Sequence, residues 1–224
     1  MSAPVLVFDL DGTLVDTAGD LVATLNAVLK SEGMTPIPFA KARATIGNGA
    51  RAMLTAALAD AGLAARAERL DRLTAAFMAY YGEHLADTSR PFPGAIEALD
   101  RFAAEGWRLA VCTNKLEGPA RTLLDKLGVG ERFAVVAGQD TFGVRKPDPR
   151  HLTMTIDRAG GSLANAIMVG DSSIDAETAR AAGVPMVFAS FGYGPRPTHA
   201  PERTIAAFAD LAAAVASLQR PSPD

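Results

Sequence analysis

Cysteine is nearly absent. The 224 residues contain one, Cys112, which excludes a disulfide within the chain and suits a reducing compartment. Histidine is scarce too: His84, His151 and His199 are the only three, none paired at a metal-ligand spacing, so a zinc centre is not expected. There is no excess of one charge. Lys and Arg number 22 against 25 Asp and Glu, and a net charge of -3 provides no basic footprint for nucleic acid. No apolar run approaches the length of a membrane span. The first residues also lack the basic and apolar regions of a signal peptide. The expectation is a cytoplasmic protein that engages neither membrane nor nucleic acid. At 49% hydrophobic and 21% charged, the chain can bury a full core and a modest second module.

The stretch that stands out is Val5-Leu6-Val7-Phe8-Asp9-Leu10-Asp11-Gly12-Thr13. Four apolar residues without a break read as a strand buried on both faces. Two acids at its end need a reason, because an unpaired buried carboxylate costs several kcal/mol or shifts its pKa. Gly12 permits a sharp exit from the strand. A divalent cation would let both acids keep their charge; a polar turn closing the strand is the plainer alternative.

From Asp16 to Asp87 the pattern is helical throughout. Leu21, Val22, Leu25, Val28 and Leu29 share one face, ended by Gly33. After the Thr35-Pro36-Ile37-Pro38 loop a short helix is expected over 41–46, broken by Gly47-Asn48-Gly49. Met53, Leu54, Ala57 and Leu58 mark the next helix, and Leu70, Leu73, Phe77, Tyr81 and Leu85 a longer one. From Thr88 onward, helices expected over 95–105, 119–127, 150–159 and 175–182 precede strands expected over 109–112, 133–136, 166–169 and 185–188. A last alanine-rich helix is expected over 205–218, followed by a frayed Pro221-Ser222-Pro223 tail. This alternation means an α/β fold with a doubly wound parallel sheet. The core is residues 1–15 and 88–224, and residues 16–87 are an inserted helical domain.

In such sheets ligands bind beyond the carboxyl ends of the strands. The residues found there are Asp9 and Asp11, Thr113-Asn114-Lys115, Arg145-Lys146-Pro147, and Gly170-Asp171-Ser172-Ser173-Ile174-Asp175. Asp9, Asp11 and Asp171 supply oxygen ligands suited to Mg2+. The Thr113 hydroxyl and the Asn114 main-chain N–H suit a phosphate oxygen, and Lys146 adds a point charge. Pro147 biases Lys146 toward an extended conformation, and Asp148 and Pro149 read as the cap and first position of the next helix. Asp175 fits two roles, a capping box with Ser172 or a place behind the metal ligands. Lys115 reads as solvated, Cys112 as core, Trp107 as packing, the histidines as surface or packing residues, and Asp140 as loop.

The motifs Asp9-x-Asp11-Gly-Thr-Leu-Val, Thr113-Asn114, Lys146-Pro147 and Gly170-Asp171-x-x-x-Asp175 resemble, in order, those of the haloacid dehalogenase superfamily. Three longer stretches are similar to bacterial phosphoglycolate phosphatases: 46–51, 111–115 and 145–149. The resemblance implies a Rossmann-like core of five strands in the order 5-4-1-2-3 with a helical cap. It implies hydrolysis of a small phosphorylated metabolite, 2-phosphoglycolate, through an aspartyl-phosphate. Asp9 would be nucleophile, and Asp11 the proton carrier. Asp9, the Asp11 carbonyl and Asp171 would hold Mg2+, and Thr113, Asn114 and Lys146 the phosphoryl group. An acid at position 11 sets the chain apart from the superfamily's dehalogenases and phosphonoacetaldehyde hydrolases. The Gly47-Asn48-Gly49 corner with Arg51 either turns the chain or reads the substrate carboxylate through Asn48, Gly49 and Arg51. Other readings are a sugar-phosphate phosphatase, a pyrophosphatase, a phosphomutase, a phospho-accepting receiver or a non-catalytic binding protein. A monomer or a homodimer is expected.

Overall fold

The apolar run Val5–Phe8 forms strand β1, with all four side chains 0% exposed, in a computed structural model that describes residues 3–47 and 49–219. Asn48 and the expected tail at 221–223 lie outside the described residues. Chain order continues with β2 (Val15–Asp16) and four helices, α1 (Ala18–Ser31), α2 (Phe39–Arg43), α3 (Ala50–Asp60) and α4 (Ala67–Glu83). Then come β3 (Arg90–Pro91), α5 (Ala95–Ala104), β4 (Arg108–Cys112), α6 (Glu117–Lys126), β5 (Val135–Ala137), α7 (Pro149–Arg158) and β6 (Ala166–Gly170). The chain closes with α8 (Ser173–Ala182), β7 (Met186–Ala189), β8 (Arg203–Ile205) and α9 (Leu211–Ala216).

The main sheet has six strands in the order β5-β4-β1-β6-β7-β8, and every neighbouring pair is parallel. The five expected strands keep their expected order, with β1 between β4 and β6. The sixth, β8, replaces the start of the expected 205–218 helix. Arg203, Thr204 and Ile205 pair with Val187, Phe188 and Ala189, and Ile205 is buried. The alanine-rich segment turns through a 3-10 helix at Phe208–Asp210 and becomes α-helical only at Leu211. Likewise the strand expected at 133 starts at Val135, because a 3-10 turn over Gly130–Arg132 delivers Phe133 to the sheet. The helix expected over 41–46 lies at Phe39–Arg43, directly after Pro38.

Local chemistry accounts for the well-defined helix starts. Asp148 caps α7 by accepting from the Arg150 N–H, with Pro149 in the first helical position. Ser172 and Asp175 form a reciprocal capping box at α8. In the helical block, the expected faces of α1, α3 and α4 are the buried ones.

The chain enters and leaves that block at one place. Strands β2 and β3 pair antiparallel, Val15 with Pro91 and Asp16 with Arg90. This ribbon is too short for a period-2 signal to show in the sequence. Beside it, the buried Asp20 carboxylate accepts four hydrogen bonds. Oδ1 takes the Thr88 N–H (2.9 Å) and hydroxyl (2.5 Å), and Oδ2 the Ser89 N–H (2.9 Å) and hydroxyl (2.6 Å). Burial opposes its charge, but these donors outweigh burial and hold its pKa below the usual carboxylate range. Asp20→Ala leaves four donors unpaired and is expected to lose about 2–4 kcal/mol in urea denaturation. A depressed carboxyl contributes stability above its unfolded pKa and loses it as pH falls through the folded value. The gap between wild type and variant therefore narrows in acid.

Candidate active site

Beyond the carboxyl end of β1 the chain makes a tight loop in which the Leu10 carbonyl accepts from the N–H groups of Thr13, Leu14 and Val15. Asp9 is still in the ladder, its N–H donating to the Val169 carbonyl at 2.9 Å. Gly12 sits at φ +90°, and a Cβ there would lie 2.5 Å from Asp171 Oδ2. Only glycine lets the β1 loop approach the carboxylate that β6 delivers.

Four segments converge. Asp9 Oδ1 accepts from the Leu10 N–H at 2.7 Å and from Lys146 Nζ at 2.9 Å. Lys146 Nζ also donates to Asp175 Oδ1 at 2.6 Å. Asp175 Oδ2 accepts from the Ser172 N–H and hydroxyl, so Asp175 serves the helix cap and the lysine together. Asp171 Oδ1 accepts from the Thr13 hydroxyl, and its Oδ2 from the N–H groups of Tyr193 and Gly194. Asn114 Nδ2 donates to the Lys146 carbonyl at 3.1 Å, tying the loop after β4 to the lysine segment. Its buried Oδ1 has no hydrogen-bond partner among the described residues. The Thr113 hydroxyl accepts from the Lys115 N–H. The Lys146–Pro147 peptide bond is cis.

Asp9, Asp171 and Asp175 are all buried, each with a carboxylate oxygen within 4.8 Å of the others. Burial, with the charges of Asp175 and Asp171, pushes Asp9 up to about 7 despite Lys146. Burial and the neighbouring Asp175 push Asp171 up to about 6. For Lys146, burial opposes the charge, yet Asp175 and Asp9 outweigh it and raise the pKa. Three carboxylates against one lysine leave two negative charges, which a divalent cation matches, and an all-oxygen donor set suits Mg2+. The expected ligands were the Asp9 and Asp171 carboxylates with the Asp11 main-chain carbonyl; the clustered carboxylates are Asp9, Asp171 and Asp175, while the Asp11 carboxylate is turned to Lys115.

That contact corrects the reading of Lys115 as solvated. Its side chain is 7% exposed and pairs with Asp11 at 3.1 Å. The signal available was its place at the end of the 111–115 stretch, two residues past Thr113 on the same loop. Tyr81, expected only as a core position, meets it from α4. Among the other residues, Cys112 is core, and burial pushes its thiol up to about 12. Trp107 packs edge-on to Phe102, and His151 edge-on to Phe142. His84 stacks on Tyr80 and pairs with Asp87, and Asp140 accepts from the Glu117 N–H.

A cavity of about 380 Å³ opens between this rim and the helical block. Asp9, Asp11, Thr113, Asn114 and Lys115 line its floor. Leu21, Ile46, Met53, Phe77 and Met78 give it an apolar wall; Arg145, from the lysine segment, and Gln139, which was not anticipated, also border it. Gly47, Gly49 and Arg51 reach it from the start of α3. Arg51 is not a free cation: its guanidinium pairs with Asp71 on α4.

The sequence profile of the haloacid dehalogenase-like hydrolases matches residues 6–189. A phosphoglycolate phosphatase of Mesorhizobium japonicum is 48% identical over 196 residues, 88% of this chain and 86% of that protein. One of Caulobacter vibrioides is 41% identical over 225 residues, 100% of this chain and 95% of the relative. The crystal structure of a predicted phosphoglycolate phosphatase from Haemophilus somnus 129PT superposes with a TM-score of 0.87 at 29% identity. It covers 94% of this chain and 97% of that one. Addition of Mg2+ is expected to raise the melting temperature of the wild type, since a ligand bound only by the native state stabilises it. In Asp171→Asn that rise should largely disappear in the same scanning fluorimetry; an equal rise in both would separate Asp171 from the cation.

Proposed function

The chain belongs to the haloacid dehalogenase-like hydrolases, and from that premise we propose that it is a cytoplasmic Mg2+-dependent phosphate monoester hydrolase that converts 2-phosphoglycolate to glycolate and phosphate. The observation that carries this reading is the pairing of two unlike carboxylates in one cavity. Asp9 is held through Oδ1 by buried Lys146, and Asp11 stands apart from the acidic cluster on its own lysine. The names of the two bacterial relatives support the choice of substrate.

In this reading Asp9 attacks phosphorus, forming the Asp9–phosphorus bond as the bond to the leaving oxygen breaks. Asp11 gives its proton to that oxygen and then takes one from the water that cleaves the aspartyl-phosphate. Thr113, the Asn114 N–H and Lys146 bind the phosphoryl oxygens, and phosphoryl transfer depends mainly on such positioning and charge neutralisation. Asp9, the Asp11 carbonyl and Asp171 would hold Mg2+, with Asp175 behind them. Bound there, the cation supplies charge neutralisation to the phosphoryl oxygens.

Residues 16–87 act as a cap that selects the ester. Arg51 and Gly49 border the cavity, and a substrate carboxylate would compete with Asp71 for the guanidinium. The apolar wall favours, as a second reading, a bulkier phosphate ester. Phosphate release with Mg2+ from 2-phosphoglycolate, pyrophosphate and hexose phosphates separates the two: 2-phosphoglycolate is expected to have the highest kcat/KM, and preference for a hexose phosphate would reject the first reading.

Asp9→Asn is expected to abolish turnover while leaving circular dichroism unchanged, and substantial residual hydrolysis would remove Asp9 as nucleophile. Arg51→Ala should lower kcat/KM on 2-phosphoglycolate by roughly tenfold, the scale of one charge-assisted contact, and spare ethyl phosphate. Equal losses on both esters would reject Arg51 as the carboxylate reader.

A further inference from the structure

The chemistry proposed above has no use for Lys115, yet the fold buries it. Nζ donates to both carboxylate oxygens of Asp11, at 3.1 and 3.2 Å, and to the Tyr81 hydroxyl at 2.9 Å. The Tyr81 ring also faces the ammonium, with its centroid 4.5 Å away. The side chains of Lys115 and Asp11 are only 7% and 12% exposed. An ammonium taken out of water costs several kcal/mol unless its partners are well placed, so a lysine here needs more than a surface role. Its partners come from the loop after β1 and from α4 of the helical block. The same nitrogen contacts both oxygens of Asp11, so the carboxylate cannot turn without losing one of them. Tyr81, buried beside Phe77, removes the freedom that a four-carbon side chain would otherwise keep.

We propose that Lys115 is a positioning residue: clamped by Tyr81 of the helical block, it holds the Asp11 carboxylate where the leaving oxygen must receive its proton. The inference rests on the reading of Asp11 as proton carrier. Lys115 acts through Asp11, the carboxylate it contacts. A proton donor displaced by about 1 Å forfeits much of its effect.

The test uses Lys115→Met and Tyr81→Phe against 2-phosphoglycolate, ethyl phosphate and 4-nitrophenyl phosphate. The first two release an alkoxide that needs a proton, and the third a phenolate that leaves without one. The readout is kcat/KM, which reports the first transfer and not the later hydrolysis of the aspartyl-phosphate. Lys115→Met is expected to lose roughly a hundredfold on both alkyl esters, within the range of general-acid catalysis, and less than about tenfold on 4-nitrophenyl phosphate. Tyr81→Phe keeps the buried ring and should show the same selectivity with a smaller loss. It provides the comparison if Lys115→Met does not fold. Equal losses on all three esters overturn the proposal and leave Lys115 a structural strut. A loss confined to 2-phosphoglycolate also overturns it, making Lys115 a reader of the substrate carboxylate. No change of selectivity in Tyr81→Phe removes the clamp. If the wild type ignores 2-phosphoglycolate, the substrate assignment fails by itself, and ethyl phosphate against 4-nitrophenyl phosphate still decides the role of Lys115.

Discussion

The burial of Lys146 is the constraint from which the arrangement of the site follows. An ammonium 2% exposed must be surrounded by negative charge. Asp9 provides it from the end of β1 and Asp175 from the first turn of α8, which follows the neighbouring strand β6. Asp175 can face the lysine because its other oxygen is spent on the α8 capping box. Asn114 holds the main chain of the lysine from the far side. Remove the lysine and three buried carboxylates face one another with no cation among them. The fold around them is drawn in closely: a Cβ on Gly192 would lie 2.2 Å from the Asp171 Cβ, so Asp171 is held by backbone on one side and by the Gly12 loop on the other.

The two lysines of the site divide the two acids that start it. Lys146 belongs to the acidic cluster and to Asp9. Lys115 belongs to Asp11 and reaches across to the helical block. Acids two positions apart in sequence thus occupy electrostatic surroundings with different neighbours, and different environments are what allow like groups to take unlike roles.

Much of this was legible in the sequence where a short-range rule applied. The apolar run Val5–Phe8, the Asp148-Pro149 helix start and the Ser172–Asp175 capping box each have a local physical cause and form as read. The order of the five expected strands, implied by the resemblance and not by any local rule, also held. The contacts missed are those made by side chains distant in sequence. Lys115 looked solvated because Asp11 and Tyr81, its partners, lie 104 and 34 residues away. Strand β8 escaped notice because three residues carry no period, and an alanine-rich neighbourhood argued for helix. The β2–β3 ribbon, two residues to a side, was hidden for the same reason. The Arg51–Asp71 pair needed the α3–α4 packing to be known first.

The central place of β1 has a consequence for how the chain comes to be folded. The first strand synthesised is flanked on both sides by strands that begin at Arg108 and Ala166. An entirely apolar strand therefore waits, unpaired, while the helical block and its first neighbour are made. Contacts of such long range are slow to form, because loop closure must precede the pairing that rewards it. The helices of residues 18–83 pack on one another within a single 66-residue stretch, α1 on α4 and α3 on α4, and can condense before the sheet is complete. During that interval the nascent chain carries an exposed apolar edge of the kind that associates with other chains. The acidic cluster also assembles late, because Asp171 and Asp175 arrive only after β6, so a partly folded chain lacks it.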